Sequence, residues 1–216
     1  MAIDSSLLVA LNIVAQSQAA PTTHTLTLCR HMLDYCATFQ QSKVCYHASD
    51  MVLHVDSDPA YLVAPHAKSR VAGYFQLSNK KYPTNPSMFL NGACLVECKT
   101  LRHVVASSAE SETAVAFHNA QFALPIRYML SQLGHPKPPT PFRIDNQATT
   151  NFIKNNINEK KFKYWNMRFY WLRDQSINNN FQFYSDKSTN NIADFFTKKH
   201  NIQYHVSSKN KYLNYA

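Results

Sequence analysis

The sequence predicts an α/β domain, a mixed sheet with helices against its faces, behind a helical extension. Three observations predict it. Residues 43–99 are rich in β-forming side chains and broken by turn residues, as three or four antiparallel strands would be. Residues 107–133 then carry one long helical pattern. After the proline cluster at 136–141, short strand-like and helical stretches alternate as far as residue 198.

The elements follow in order. Ser5 or Ser6 can cap a helix through about residue 18, Pro21-Thr22-Thr23 breaks it, and residues 23–38 form a second helical pattern with Leu26, Leu28, Met32 and Leu33 apolar. Two helices make no complete domain, yet their apolar surface predicts that they pack on the core. Strands are expected at 44–47, 51–56, 71–78 and 88–99. The long helix is expected to kink or break at Pro125 and to close at Gly134. A strand at 142–144, helices at 146–156 and 164–174, a strand at 180–185 and a helix at 190–198 complete the pattern.

Composition narrows the function. The chain has 216 residues, 45% hydrophobic and 16% charged, which fits a folded domain with an appendage and excludes a disordered chain. Net charge is +9, and from residue 151 onward eleven Lys and Arg face four Asp and Glu. Such a surplus is either a footprint for a polyanion such as nucleic acid or an uneven solvated surface. Five cysteines form no paired metal motif; Cys94 and Cys98 alternate along a strand. Their odd number, and the lack of a secretory signal, predict free thiols in a reducing, intracellular compartment rather than a secreted protein. The apolar run from Leu7 to Ala15 is too short to span a bilayer and reads as a packed helix, so no membrane partner is expected.

Only 13 residues are acidic, and four of them stand in contexts that suggest a metal-binding carboxylate: Asp56 at the end of a strand-like run, Glu112 inside a helical pattern, Asp145 at a strand-to-helix junction and Asp194 near a helix start. Asp56 closes a strand in which Val52, His54 and Asp56 share one face; before Asp58-Pro59 it also reads as a turn residue. In the long helix, Ser107-Ser108-Ala109-Glu110 matches a capping box, so Glu110 has a structural role, reaching back to the amide of Ser107. Glu112 instead lines up with Ala109, Ala116, Ala120, Ala123, Ile126 and Leu130, a small-residue stripe suited to close packing on a sheet. A carboxylate there needs a cation, a hydrogen-bond network or a raised pKa. Asp145 lies between strand and helix, as an N-cap or as a ligand at the carboxyl end of a strand. Asp194 either complements a helix dipole or joins the others.

Taken together, these contexts resemble the ribonuclease H domain of copia-type long-terminal-repeat retrotransposon polyproteins. The resemblance is carried by His54-Val55-Asp56-Ser57-Asp58, Arg70-Val71-Ala72-Gly73-Tyr74 and Val104-Val105-Ala106-Ser107-Ser108-Ala109-Glu110-Ser111-Glu112. Further on, Ile144-Asp145-Asn146-Gln147, Met167-Arg168-Phe169-Tyr170-Trp171-Leu172-Arg173 and Asn191-Ile192-Ala193-Asp194-Phe195-Phe196-Thr197-Lys198 continue it in order. It covers residues 51–200; residues 1–50 resemble the end of the preceding reverse transcriptase, and residues 201–216 match nothing recognised. The histidine that cellular and retroviral relatives often place in the loop before the last aspartate has no counterpart in 186–191. Many copia-type sequences carry a histidine where Tyr164 stands and an aspartate where Asn166 stands.

The resemblance implies a ribonuclease H-like α/β fold, with a mixed five-stranded sheet flanked by helices and an N-terminal helical extension. It also implies cleavage of the RNA strand of an RNA–DNA hybrid by two Mg²⁺ ions, with Mn²⁺ able to substitute, held by Asp56, Glu112, Asp145 and Asp194. Hard cations suit carboxylate oxygens, and a pair roughly 3.5–4 Å apart is a known arrangement for phosphodiester hydrolysis. The implied partner is the reverse transcriptase domain of the same polyprotein, and the implied location a cytoplasmic retroelement particle. For substrate contacts, Lys160, Lys161, Lys163 and Arg168, with Lys154 and Arg173, offer phosphate contacts, while most of the interleaved aromatics read as core. Asn146 and Gln147 are candidates to read the minor groove or the 2′-hydroxyls. Two other functions fit the same residues: a catalytically silent nucleic-acid-binding domain, and a DNA nuclease of the same fold.

Overall fold

The structure, a computed structural model, describes residues 4–80, 90–135, 138–154 and 163–215. Asp4, rather than Ser5 or Ser6, caps the first helical segment: its Oδ1 accepts from the amide of Ser6 at 2.9 Å. After one 3-10 turn, helix α1 runs Leu8–Gln16. Helix α2 spans Thr23–Thr38 behind a capping box in which Thr22 and Thr25 satisfy each other's amides.

The strand expected at residues 44–47 does not form; a two-residue strand β1 (Ser42–Lys43) lies just before it. Strands β2 (Val52–Ala64) and β3 (Lys68–Ser78) then form a long antiparallel hairpin. The expected strand end at Asp56 is corrected by this hairpin, because β2 runs on past it. Its ladder to the next parallel strand ends at Ser57, so Pro59 lies beyond that edge, where a missing N–H is tolerated. Strand β4 (Ala93–Thr100) lies antiparallel to β3; the rest of the expected 88–99 strand falls partly outside the described residues.

Helix α3 (Ser108–Gln132) continues through Pro125 instead of breaking there. It closes at Gly134, whose φ of 84° is the left-handed conformation that glycine favours at a helix end. Strand β5 (Thr140–Ile144), helix α4 (Gln147–Lys154), helix α5 (Lys163–Ile177) and strand β6 (Phe181–Ser185) follow. The expected helix at 190–198 appears as two 3-10 turns, Ser188–Asn190 and Ile192–Phe196. Residues 201–215 contribute helix α6 (Ile202–Lys209) and strand β7 (Asn214–Tyr215), which pairs with β1.

The five-stranded sheet has the order β4-β3-β2-β5-β6, antiparallel through β2 and parallel from β2 through β6. Strand alternation divides the core between its faces. On one face Leu53, Val55, Phe75, Phe142, Ile144, Phe181 and Phe183 pack under Ala116, Ala120 and Ala123 of α3 and Leu172 of α5. The small-residue stripe lets α3 approach closely, and each buried Phe contributes about 2–3 kcal/mol. On the other face Ala72, Tyr74, Ala93 and Val96 meet Ala193, Phe195 and Phe196 of the 3-10 turn, with Leu8 and Tyr212 alongside. Among the described residues no helix is long and apolar enough to cross a membrane, and all five cysteines are free.

Candidate functional site

Adjacent parallel strands deliver the site. The register pairs Ser57 with Ile144, so the next residues, Asp58 and Asp145, emerge side by side beyond that ladder. The first turns of α3 add Glu112 from one face of the sheet, and the 3-10 turn Ile192–Phe196 adds Asp194 from the other. Glu112 and Asp145 share a hydrogen bond, and the charges of Asp145 and Asp194 both act on Asp58. Asp58, Asp145, Asp194, Asn191 and Lys198 line a cleft of about 510 Å³.

The electrostatics follow from crowding in a poorly hydrated place. Asp58, 3% exposed, is pushed up to about 8 by burial and then by the charges of Asp194 and Asp145. Glu112, 6% exposed, is pushed up to about 10 by burial, by its hydrogen bond to Asp145, and by the charges of Asp145 and Asp58. Lys198 places its ammonium 2.6 Å from Asp194 Oδ1, one helical turn on, and that hydrogen bond raises its pKa. Buried Asn191 braces the centre: its side-chain amide donates to the Ser57 carbonyl at 3.0 Å, and its Oδ1 accepts from the Ala193 amide at 3.1 Å.

Of the four acids singled out in the sequence, the structure brings Glu112, Asp145 and Asp194 together and leaves Asp56 apart. Asp56 lies one pleat back, 1% exposed, with its Oδ1 at 3.1 Å from Nε of Arg143, its cross-strand partner on β5. Burial raises it to about 6, and the Arg143 guanidinium opposes that rise. Arg143 also donates to the Tyr184 hydroxyl at 3.1 Å and to the Asn190 carbonyl, so the pair joins β2, β5, β6 and the loop behind the site. The member of the cluster that sequence reasoning missed is Asp58. It shares the strand face of Asp56, and only the register with β5 tells the two apart.

Local hydrogen bonds explain why Asp145 is left for the cleft. Asn146, one residue later, caps α4 by accepting from the Thr149 amide at 3.1 Å. Gln147 donates to Asn151 at 2.8 Å and accepts from the Ser185 hydroxyl. Both proposed readers of RNA are therefore engaged with neighbouring groups. Arg168 lies within 3.0 Å of His103 Nε2, with its guanidinium over the Phe117 ring. Lys160 and Lys161 lie outside the described residues, as does the side chain of Lys163. Glu110 is structural as expected, although its carboxylate accepts from the amide of Ala106, at 2.6 Å, rather than from Ser107.

The chemistry of the donor set suits a hard cation, since Asp58, Glu112, Asp145 and Asp194 offer only carboxylate oxygens and two of them are burdened by one another's charge. Their spacing is less favourable: among the described residues no group of three or more His, Cys, Asp or Glu side chains is arranged to hold a metal ion.

No family model matches the chain, and no curated protein matches it. Similarity to solved structures is found at low identity. The N-terminal RNase H domain of a Mycobacterium tuberculosis protein, solved as a fusion with maltose-binding protein, is 8% identical, with 67% of this chain and 89% of that chain covered and a TM-score of 0.44. An RNase H1 isolated from compost by a metagenomic approach is 9% identical, with 68% and 92% covered and a TM-score of 0.48. The strand order and directions, with helices on the sheet faces and a helical N-terminal extension, make this a ribonuclease H-like α/β fold.

Proposed function

We propose that the chain binds nucleic acid at the acidic cleft and hydrolyses phosphodiester bonds there, as a ribonuclease H cutting the RNA strand of an RNA–DNA hybrid. The observation that carries this is the convergence of Asp58, Glu112, Asp145 and Asp194 from four separate elements just past the end of the parallel β2–β5 ladder. Four carboxylates crowded this way oppose one another, so the arrangement costs stability that a purely structural role does not require. The sequence resemblance supplies the finer terms: a copia-type retroelement, the neighbouring reverse transcriptase as partner, and Mg²⁺ or Mn²⁺ as cofactor. Held by the oxygens of Asp58, Glu112, Asp145 and Asp194, such ions would supply Lewis acidity at a phosphate and neutralise its charge.

The protein's own residues set the stage. Asp58, Glu112 and Asp145 offer the donor oxygens, and Asn191 braces the strand backbone beside Asp58. Arg143 neutralises Asp56 and keeps that second strand carboxylate out of the cleft. Lys198 holds the Asp194 carboxylate by their ion pair.

A catalytically silent nucleic-acid-binding domain is the second reading. It is favoured by the spacing of the acids, which form no metal-holding group among the described residues, and by the lysine ammonium already seated on Asp194. The deciding experiment compares labelled RNA–DNA hybrid, duplex DNA and duplex RNA in Mg²⁺, Mn²⁺ and EDTA. Metal-dependent cutting of the hybrid's RNA strand alone supports the ribonuclease. Binding without cutting overturns it in favour of the silent domain, and cutting of duplex DNA in favour of a DNA nuclease.

A further inference from the structure

The cleft has a second wall, built by the stretch of chain that the sequence left without a role. Lys198, Tyr204 and Lys211 face the same space as Asp58, Asp145 and Asp194. This wall is fixed in place. The Tyr212 hydroxyl donates to the Ile192 carbonyl at 3.1 Å, and its ring packs on Phe195 and Phe196 at 4.8 and 5.1 Å between centroids. Leu213 is buried at 1% exposure, and Asn201 caps α6 by accepting from the Tyr204 amide at 2.8 Å. Lys211 is therefore carried on an anchored turn beside the acids, with its own side chain exposed.

The charge pattern indicates what this wall is for. A carboxylate cluster by itself repels a phosphodiester, so a strand that enters the cleft needs cations opposite the acids. Lys198 is engaged by Asp194 at 2.6 Å. Among the described residues the Lys211 ammonium has no ion-pair partner, which leaves it able to bind an incoming anion. Tyr204, 46% exposed, adds a hydroxyl and a ring face at the same rim. We propose that Lys211, with Tyr204 and Lys198 beside it, is a phosphate-binding subsite for the backbone of a nucleic-acid strand, so that the C-terminal segment forms one wall of the substrate cleft. This inference rests on the reading of the cleft as a nucleic-acid site. It differs from the earlier expectation by placing backbone contacts on the C-terminal wall as well as on residues 154–173.

Anisotropy titrations of the full chain test it, with labelled RNA–DNA hybrid and duplex DNA over a salt series, in Mg²⁺ and in EDTA. Lys211→Glu is expected to weaken binding to both duplexes about tenfold near 0.1 M salt and to reduce the slope of log K against log salt by about one. Lys211→Arg should bind within about twofold of the native chain, and its unchanged fold is checked by melting temperature. Lys80→Glu is the charge control, since Lys80 lies past the opposite end of β3, about 20 Å along the sheet from Asp58. Unchanged affinity and slope in Lys211→Glu, or an equal loss in Lys80→Glu, overturns the subsite while leaving the nucleic-acid reading intact. A native chain that binds neither duplex under either condition overturns both.

Discussion

Asp56 and Asp58 stand two residues apart on one face of β2, and the neighbouring strand gives them different work. Asp56 meets Arg143 across the ladder; Asp58 lies past the last residue paired with β5 and meets other carboxylates. Asp58→Asn is therefore expected to reduce hybrid cleavage at least a hundredfold while raising the melting temperature of the metal-free chain, because it removes a crowded charge. Asp56→Asn removes the carboxylate charge 3.1 Å from the buried Arg143 guanidinium, and should cost about 3 kcal/mol while retaining measurable cleavage per folded molecule. Cleavage assays with thermal melts check both, and the reverse pattern would return Asp56 to the centre of the site. The same crowding predicts a pH dependence. Asp58 and Glu112 are raised to about 8 and about 10, so between the ordinary carboxylate range and those values the folded chain holds protons that the unfolded chain releases. Stability is therefore lost as pH rises through the raised values, by up to about 1.4 kcal/mol per pH unit for each proton. His54, lowered to about 4, acts in the opposite direction, but only below its ordinary pKa. Between pH 7 and 8.5 in EDTA the melting temperature should fall, and Asp58→Asn with Glu112→Gln should flatten that fall. A flat native profile would mean that the carboxylates do not burden one another.

At the level of elements, the contact between α3 and β3 holds the site's helix against its sheet. Gly73 sits where they cross: a Cβ there would lie 2.6 Å from Oδ1 of Asn119 and 2.8 Å from the Phe75 ring. The Asn119 amide donates to the Ser57 hydroxyl at 2.9 Å and to the Ala72 carbonyl at 2.8 Å, directly behind Asp58. Gly73→Ala should displace Asn119, cost about 1–3 kcal/mol and lower activity with the acids intact; a melt identical to that of the native chain would show that the contact yields freely. The α3 side of this contact was legible in the sequence, because a 3.6-residue period of alanines is a local pattern and Glu112 stands in phase with it. The β2 side was not. Which of two aspartates on one face enters the cleft depends on a parallel register set by a strand some ninety residues away, and no local signal encodes it. The roles of Asp145 and Asn146 were divided by a cap that either residue type can form. The turn carrying Asp194 is a short 3-10 segment without a helical stripe, so its position on the sheet face was equally invisible.

At the scale of the whole molecule, the two ends of the chain support one another on the sheet face that carries Asp194. Asn12 of α1 accepts from Arg70 Nε and from the Thr100 hydroxyl, each at 3.2 Å, and Gln16 donates to Thr100 at 2.7 Å. Arg70 in turn donates to the Thr197 carbonyl at 2.8 Å, three residues beyond Asp194. Helix α2 reaches the other end: the Tyr35 hydroxyl lies 3.3 Å from His205 Nε2, the Lys209 ammonium lies 3.1 Å from the centre of the Phe39 ring, and β1 pairs with β7. Leu26 and Leu33 of α2 remain 52% and 64% exposed, so the extension docks through α1 and through these contacts rather than through the whole apolar face expected of it. Removing residues 1–50 should therefore loosen α6 and the turn that carries Lys211, not only α1. The truncated chain is expected to melt lower, to be less soluble and to bind nucleic acid more weakly, while cleavage per bound duplex changes less, because the acids stand on β2, α3, β5 and the 3-10 turn. Asn12→Ala with Gln16→Ala separates docking from mere presence: losing these hydrogen bonds should cost about 1–3 kcal/mol and shift the melting temperature in the same direction. A truncated chain with native melting temperature and native affinity would show that the two ends do not support one another, and that the wall of the cleft stands without them.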